Sequence, residues 1–464
     1  MEVPFMSKSR ERRREEPPTS AKEYIISGTS TLPGHDAKSF VLAFAYSWFA
    51  LGTIVTATFL SIFLVCMCLR FAFYPDPYQL LVQRCRLNAS YCPQRRHRQP
   101  FGLVPERTLI CTLGPNVLQR RAYPADGICS VVIFTHVQYD PETGTLIPTV
   151  SNIVTRKSWR IFQRRALFYK VTSFMPSFEW KTLLPTLNAH RAREINASLS
   201  QTNMLGLALL NVRLPVQALQ SVVSALFLLQ RANPGMFLAL GASFEEMIDT
   251  NAASLVPTEL LDAMVTPLRL FVLETHLPST KSSGKDCVAG YVTPTEPYDD
   301  VPRLTLRGAS AMLSHHAFTL VQDGVLTRCF SVLAGALVFR AQNASSSLAM
   351  RAGSPCSSWH LASLGSFCNR SRVYVDSVFR AAYSQSPEAF VTFESAYHVD
   401  GKTTAVMQRF VDADSPICLA VYAIDLDVMP SASIEKASCS ERPWWCTLAE
   451  ALQAAMKSVS KADP

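Results

Sequence analysis

The 464-residue sequence carries no G-x-S-x-G, H-E-x-x-H, C-x-x-C, Walker A or G-x-G-x-x-G pattern. Nothing in it therefore points to a nucleophile elbow, a zinc peptidase, thioredoxin-like redox chemistry or a phosphate cradle, and no metal or cofactor is expected. A short internal repeat is also lacking, which argues for one or two large domains rather than a string of small modules. His315-His316 is the only histidine pair. Adjacent positions on a predicted helix face different ways, so core or surface roles fit these rings better than metal ligation. Lys and Arg exceed Asp and Glu by 44 to 36, for a net charge of +8. The Arg-rich pieces, Arg10 with Arg12-Arg13-Arg14 and Arg95-Arg96-His97-Arg98, have no interleaved aromatics. They read as solvated segments beside lipid headgroups, with no nucleic-acid partner.

A second absence is of charge. From Phe40 to Leu69 there is no Asp, Glu, Lys, Arg or His, and the run is bounded by Lys38 and Arg70. About 20 apolar helical residues cross a bilayer, so residues 40–69 predict a single transmembrane helix with room to tilt. A signal peptide would have a shorter apolar region near the N-terminus and a small-residue cleavage site, and neither is present. Basic residues flank both ends, so charge alone does not orient the span. All four N-x-S sequons, Asn88, Asn196, Asn343 and Asn369, follow it, as do eleven of the thirteen cysteines. Sequons and disulfides belong to a glycosylating, oxidising compartment, which predicts type II topology with the C-terminal part outside. The expected order is a disordered cytoplasmic tail over 1–39, the span, a basic stem over 70–107, and a large domain over 108–464 with an insertion near 341–390. A span of this length suits the thicker plasma membrane.

Eight short apolar runs without polar alternation recur along the large domain: Leu109–Leu113, Ile128–Phe134, Leu167–Val171, Leu205–Leu210, Met236–Leu240, Leu270–Leu273, Phe330–Phe339 and Leu419–Ile424. Runs of this kind fit strands buried on both faces, as in a parallel sheet. Between them lie helix-like stretches, the clearest being Pro215 to Gln230, with Leu219, Val222, Val223 and Leu226 on one stripe and Asn233-Pro234-Gly235 as its stop. Eight alternating strands and helices predict an α/β protein, a (β/α)8 TIM barrel.

Three segments together resemble glycoside hydrolase family 18, the chitinases and chitinase-like proteins. The first is Leu109-Ile-Cys111-Thr with Gly127-Ile-Cys129 through Phe134-Thr-His136. The second is Leu304 to Gly335, including Arg328 and Cys329. The third is Phe393-Glu394-Ser395 through Lys402, then Cys418 through Tyr422-Ala-Ile-Asp425-Leu-Asp427, Cys439 and Cys446. The arrangement is further similar to the divergent, membrane-tethered chitinase-like proteins of ticks. The resemblance implies the barrel, a Cys111–Cys129 disulfide stapling its first two strands, and a glycan-binding groove at its mouth. There Glu274, His276, Tyr422, Asp425 and Asp427 are candidate lining residues, and the partner is a chitin-like or other glycan, or a protein ligand.

In that family the fourth barrel strand carries acids at alternate positions, ending in the Glu that protonates the leaving oxygen in a substrate-assisted reaction. The corresponding stretch, Asn203 to Pro215, contains no acid, and no Asp, Glu or His occurs anywhere from Ile195 to Phe244. Matching Pro215 to the family's proline places Asn211 and Arg213 where the last Asp and the catalytic Glu would stand. A guanidinium stays protonated and an amide has no proton to give, so neither serves as a general acid. The expectation is a pseudoenzyme, with no catalytic residues. Glu274, Asp425 or Asp427 could in principle supply a re-sited acid, but an acid on another strand is expected to stand several ångströms away. The alternative is a type II Golgi glycosyltransferase using Asp425-x-Asp427. Trp444-Trp445 fits a sugar platform less well than a disulfide-closed corner. Local spacing further suggests pairs Cys356–Cys368, Cys439–Cys446 and Cys85–Cys92.

Overall fold

A computed structural model describes residues 50–62, 108–115, 117–118, 122–214, 219–244, 266–278, 287–296, 305–313, 326–342, 348–364, 373–394, 399, 401–402, 417–427, 448 and 452. The chain divides into two units, Met1–Leu87 and Asn88–Pro464. In the first, residues 50–62 are helical and fully lined by exposed side chains. The hydroxyls of Thr53, Thr56 and Thr58 each donate to a carbonyl three or four residues back. No helix among the described residues is long and apolar enough to cross a membrane. Residues 40–49 and 63–69 of the charge-free run lie outside the described residues.

The second unit is built on a closed barrel. Its strands in chain order are β1 (Leu109–Leu113), β2 (Val131–Asp140), β3 (Thr145–Pro148), β4 (Ser173–Phe178), β5 (Gly206–Leu214), β6 (Phe237–Phe244), β7 (Leu270–Leu273), β8 (Thr327–Leu333), β9 (Ala336–Ala341), β10 (Cys356–Ala362), β11 (Tyr374–Asp376), β12 (Ala381–Gln385), β13 (Ala389–Phe393) and β14 (Ile417–Tyr422). Eight of them run parallel in the order β1-β14-β8-β7-β6-β5-β4-β2, and β1 pairs with β2 to close the ring. Strand alternation sorts the side chains. Ile110, Ile133, Met175, Ala208, Ala239 and Val272 fill the inside, while Leu109, Phe134, Phe174, Leu207, Leu238 and Phe271 face the helices.

Helices α1 (Ile153–Phe168), α2 (Ala189–Gln201), α3 (Leu219–Ala232) and α4 (Leu306–Leu313) belong to the outer layer. Helix α1 starts at a reciprocal cap, Thr155 N donating to Asn152 Oδ1 at 2.9 Å and Asn152 N to Thr155 Oγ1 at 3.0 Å. Its Phe162 packs between Phe134 and Phe174, with centroids at 5.3 and 5.0 Å. Helix α3 buries Val222, Val223 and Leu226 of the stripe anticipated from its periodicity, and Leu229 extends it.

Two expected strands are corrected. Leu167–Val171 is the end of α1 and a turn, and the strand is Ser173–Phe178. Tyr169 explains the apolar run, since its ring meets Phe174 edge-on at 5.1 Å and its hydroxyl donates to Pro124 O. The strand itself hides behind two inward serines and Pro176, a residue that argues against a buried strand. Phe330–Phe339 is two strands. At Gly335 the chain leaves β8 so close to Ala362 that a Cβ would meet that carbonyl at 2.9 Å. It then continues as β9, in an antiparallel five-stranded sheet ordered β10-β9-β13-β12-β11.

Cys111 and Cys129 are bonded, with Cα atoms 6.0 Å apart. Cys356 bonds Cys287 instead of Cys368, tying the segment after β7 to the second sheet, and Cys329 bonds Cys418 across register-matched positions of β8 and β14. Sequence-local pairing failed at Cys356 because strand topology brings partners 69 residues apart together. Cys85, Cys92, Cys368, Cys439 and Cys446, like Trp444 and Trp445, lie outside the described residues.

Candidate site at the mouth of the barrel

The site begins with an irregularity in β5. Its register against β6 shifts between Leu209 and Val212, and Asn211 takes a left-handed φ of 58°. Asn tolerates that conformation better than most residues. Leu210 belongs to the barrel interior and Val212 to the layer under the helices, so the bulge resets the alternation and turns Arg213 toward the mouth.

Glu274 follows β7 directly and reaches across the barrel. Its Oε1 accepts from the Asn211 backbone N–H at 2.7 Å and from the Tyr422 hydroxyl at 2.7 Å. Gly241 on the intervening β6 makes that reach possible, because a Cβ there would stand 2.6 Å from both Glu274 Oε1 and Tyr422 Oη. The carboxylate is only 1% exposed, and its Oε2 has no hydrogen-bond partner among the described residues. Burial pushes its pKa up to about 7, against the opposing pull of the Asn211 N–H, the Tyr422 hydroxyl and the Arg213 charge. The expectation that an acid on another strand stands several ångströms from the β5 end is therefore corrected. Gly241 lets a long side chain from β7 arrive there.

Around this carboxyl, Asn211 Nδ2 donates to His136 Nε2 at 2.9 Å, and His136 Nδ1 lies 3.1 Å from Ser177 Oγ, which also accepts from Leu210 N. Burial depresses His136 to about 4, so the ring is neutral at physiological pH. His276 Nδ1 lies 2.7 Å from Ser331 Oγ, and its ring stands 4.1 Å from that of Tyr422. Desolvation, with Glu274 as neighbour, holds the Tyr422 hydroxyl well above its usual pKa.

The structure thus gathers Asn211, Glu274, His276 and Tyr422, with Arg213 acting on Glu274 through charge, and it engages the two aspartates with other segments. Asp425 Oδ1 accepts from Gly114 N at 2.8 Å, and Asp427 Oδ2 accepts from Leu448 N. Each carboxylate is engaged by a backbone amide of a different segment. Burial raises the pKa of Asp425. Ser177 and Gly241 escaped the sequence reading, and His136 entered it only as the end of the first resembling segment, not as a site residue. The one signal for His136 was a polar ring closing a buried apolar run. Of the sequons, Asn196 lies on α2, where its Oδ1 accepts from Asn233 Nδ2 at 2.7 Å. Asn88, Asn343 and Asn369 are outside the described residues. Glu394 and Lys402, from the closing segment of the resemblance, form a buried pair at 2.7 Å.

No family model and no curated protein matches the sequence. Solved structures do match in fold. A human pseudo-chitinase with retained chitooligosaccharide-binding properties, YKL-39, aligns with a TM-score of 0.54 at 11% identity over 76% of this chain and 100% of its own. An immunomodulatory active chitinase from Trichuris suis gives 0.54 at 9% identity, covering 76% and 100%. A group IV chitinase from Ostrinia furnacalis gives 0.53 at 12%, covering 76% and 99%. The chain has the family 18 chitinase fold. In that chitinase-like barrel the bulged β5, with Asn211 and Arg213, is the fourth of the parallel strands in chain order, after β1, β2 and β4.

Proposed function

We propose that this chitinase-like chain is anchored in the plasma membrane by residues 40–69 and uses its extracellular barrel mouth to recognise a carbohydrate without hydrolysing chitin by the family's route. The observation that carries the reading is the mouth end of β5. The bulge aims Asn211 and Arg213 where the resemblance puts the acids of an active enzyme, and neither donates a proton at working pH. Folds alone do not choose, since the similar structures include both a pseudo-chitinase that binds chitooligosaccharides and an active chitinase. The anchor is supported by the charge-free run and by threonine hydroxyls satisfied within the helix over 50–62, as a lipid setting requires.

The test is binding of full-length protein, in detergent micelles, to a panel of neutral and acidic oligosaccharides, with release of fluorophore from a chitobioside measured in parallel. Binding without release is expected. Release without binding selectivity would contradict the reading. Protease applied to intact cells should remove the C-terminal domain; its complete protection would reverse the topology.

A further inference from the structure

Beyond the reading of the mouth, and independent of it, we infer that the outer face of helix α1 is a second binding surface, one that takes a linear polysaccharide bearing sulfate groups. No Asp or Glu occurs from Thr143 to Phe178, a stretch with six Lys and Arg. Five of the six lie on α1. Arg165 stacks on aromatic rings, its guanidinium 5.6 and 5.7 Å from the centroids of Tyr123 and Tyr169. The other four, Arg156, Lys157, Arg160 and Arg164, are exposed. None of the four makes an ion pair among the described residues, whereas Arg191 and Arg307 each reach a carboxylate, at 3.8 and 3.1 Å. Asp126, the acid at the end of the helix, is taken up by the backbone N–H groups of Lys170 and Thr172.

The helix itself gains nothing from this arrangement. Arg156, Arg160 and Arg164 stand at successive i,i+4 spacings, where like charges repel. Arg156 and Lys157 also stand near the N-terminus, the positive end of the helix dipole, and the first turn has no acid. Packing holds the helix instead, through buried Trp159, Phe162 and Ala166. The cations are presented outward in a row about 12 Å long from Arg156 to Arg164, at the rise of an α-helix. Three of the four are guanidiniums, whose planar fork matches a sulfate. The same facts select the occupant. A helix docks on a lipid surface through its apolar face, and here that face is already packed on the barrel. The exposed aliphatics, Val150, Ile153 and Val154 at one end and Leu167 and Val171 at the other, lie beyond the charged row rather than along it. Single-stranded nucleic acid is gripped by aromatics set among the cations, and the exposed positions of α1 include none. A sulfated sugar chain presents anions in a matching row, and the proposed extracellular placement agrees with it.

The probe is a heparin octasaccharide, compared with an unsulfated heparosan octasaccharide, each titrated calorimetrically into the full chain in a neutral detergent. The sulfated probe should bind about tenfold tighter than the unsulfated one and weaken as salt is raised. Arg160→Gln with Arg164→Gln should weaken it about tenfold without lowering the melting temperature. Arg340→Gln with Arg351→Gln removes as much charge from exposed positions on and beside the second sheet, and should leave the affinity nearly unchanged. Equal binding of heparosan, equal weakening by the two double variants, or no binding at low salt would each overturn the inference. In nanodiscs of phosphatidylcholine, hydrogen exchange over residues 153–168 should not respond to added phosphatidylserine. Protection of that helix by the anionic lipid would assign the face to the membrane and overturn the inference as well. Chitotetraose titrated into the same protein reports on the mouth separately.

Discussion

Two buried glutamates in this barrel have opposite surroundings. Glu394 lies 2.7 Å from the Lys402 ammonium, with both side chains at most 3% exposed. Glu274 is equally buried, yet Oε1 is held by a backbone amide and a phenol, and the Arg213 cation acts on it through charge. A fully buried ion pair is a structural joint, because removing either partner strands a charge in a poor solvent. A carboxyl held mainly by neutral donors keeps a proton into the neutral range and remains available for chemistry or recognition. The contrast separates a joint of the fold from a candidate site within one family of side chain.

The largest effect should come from breaking the joint. Lys402→Met takes the ammonium away from the buried Glu394 carboxylate and should cost on the order of 3–5 kcal/mol, read as a fall in denaturation midpoint or in surface expression. A change below about 1 kcal/mol would show that the pair is dispensable.

Removing the ionisable group at Glu274 should act through pH. Its folded pKa of about 7 lies above the ordinary 4.5. The folded state therefore holds the proton more tightly, and the associated stability is full below pH 4.5 and is lost as pH rises through 7. Glu274→Gln removes that loss, so the wild type should fall relative to the variant by about 3 kcal/mol between pH 4 and pH 8.5. Denaturant titrations of both proteins at the two pH values decide this, and parallel curves would contradict it.

Filling the gap on β6 should have a smaller effect. Gly241→Ala puts a methyl 2.6 Å from Glu274 Oε1 and Tyr422 Oη. Displacing the carboxyl from Asn211 should cost roughly 1–3 kcal/mol, as other overpacked cores do. It should also flatten the pH dependence seen at Glu274. Unchanged stability would mean that the carboxyl is not held there.

Much of the barrel was legible because strands buried on both faces must be apolar. Leu109–Leu113 and Leu270–Leu273 are strands over the same residues that the runs marked. Legibility failed where polarity and secondary structure part company. Serines and a proline conceal β4, while apolar residues at the end of α1 imitate it. The acid-free stretch around β5 was plain from composition. The β5 bulge was not, because a bulge resides in backbone pairing and Asn211 differs little from other turn formers. The meeting of Glu274 with Asn211 depends on a glycine in a third strand, and no single segment of sequence displays such a three-strand coincidence. Disulfides divide the same way. Cys111 and Cys129 lie 18 apart, whereas Cys329 and Cys418 lie 89 apart and meet only through the parallel pairing of β8 with β14.

The most direct test of a mouth that kept the fold and lost the family's reaction is hydrolysis of a fluorogenic chitobioside by the full-length protein between pH 4 and 8. General acid–base catalysis contributes about 10²–10⁴-fold, so without an acid on β5 turnover should be indistinguishable from background. Clear hydrolysis by the unmutated protein would contradict the proposal, and its loss on Glu274→Gln would place the proton donor on β7, at the carboxyl that reaches past Gly241.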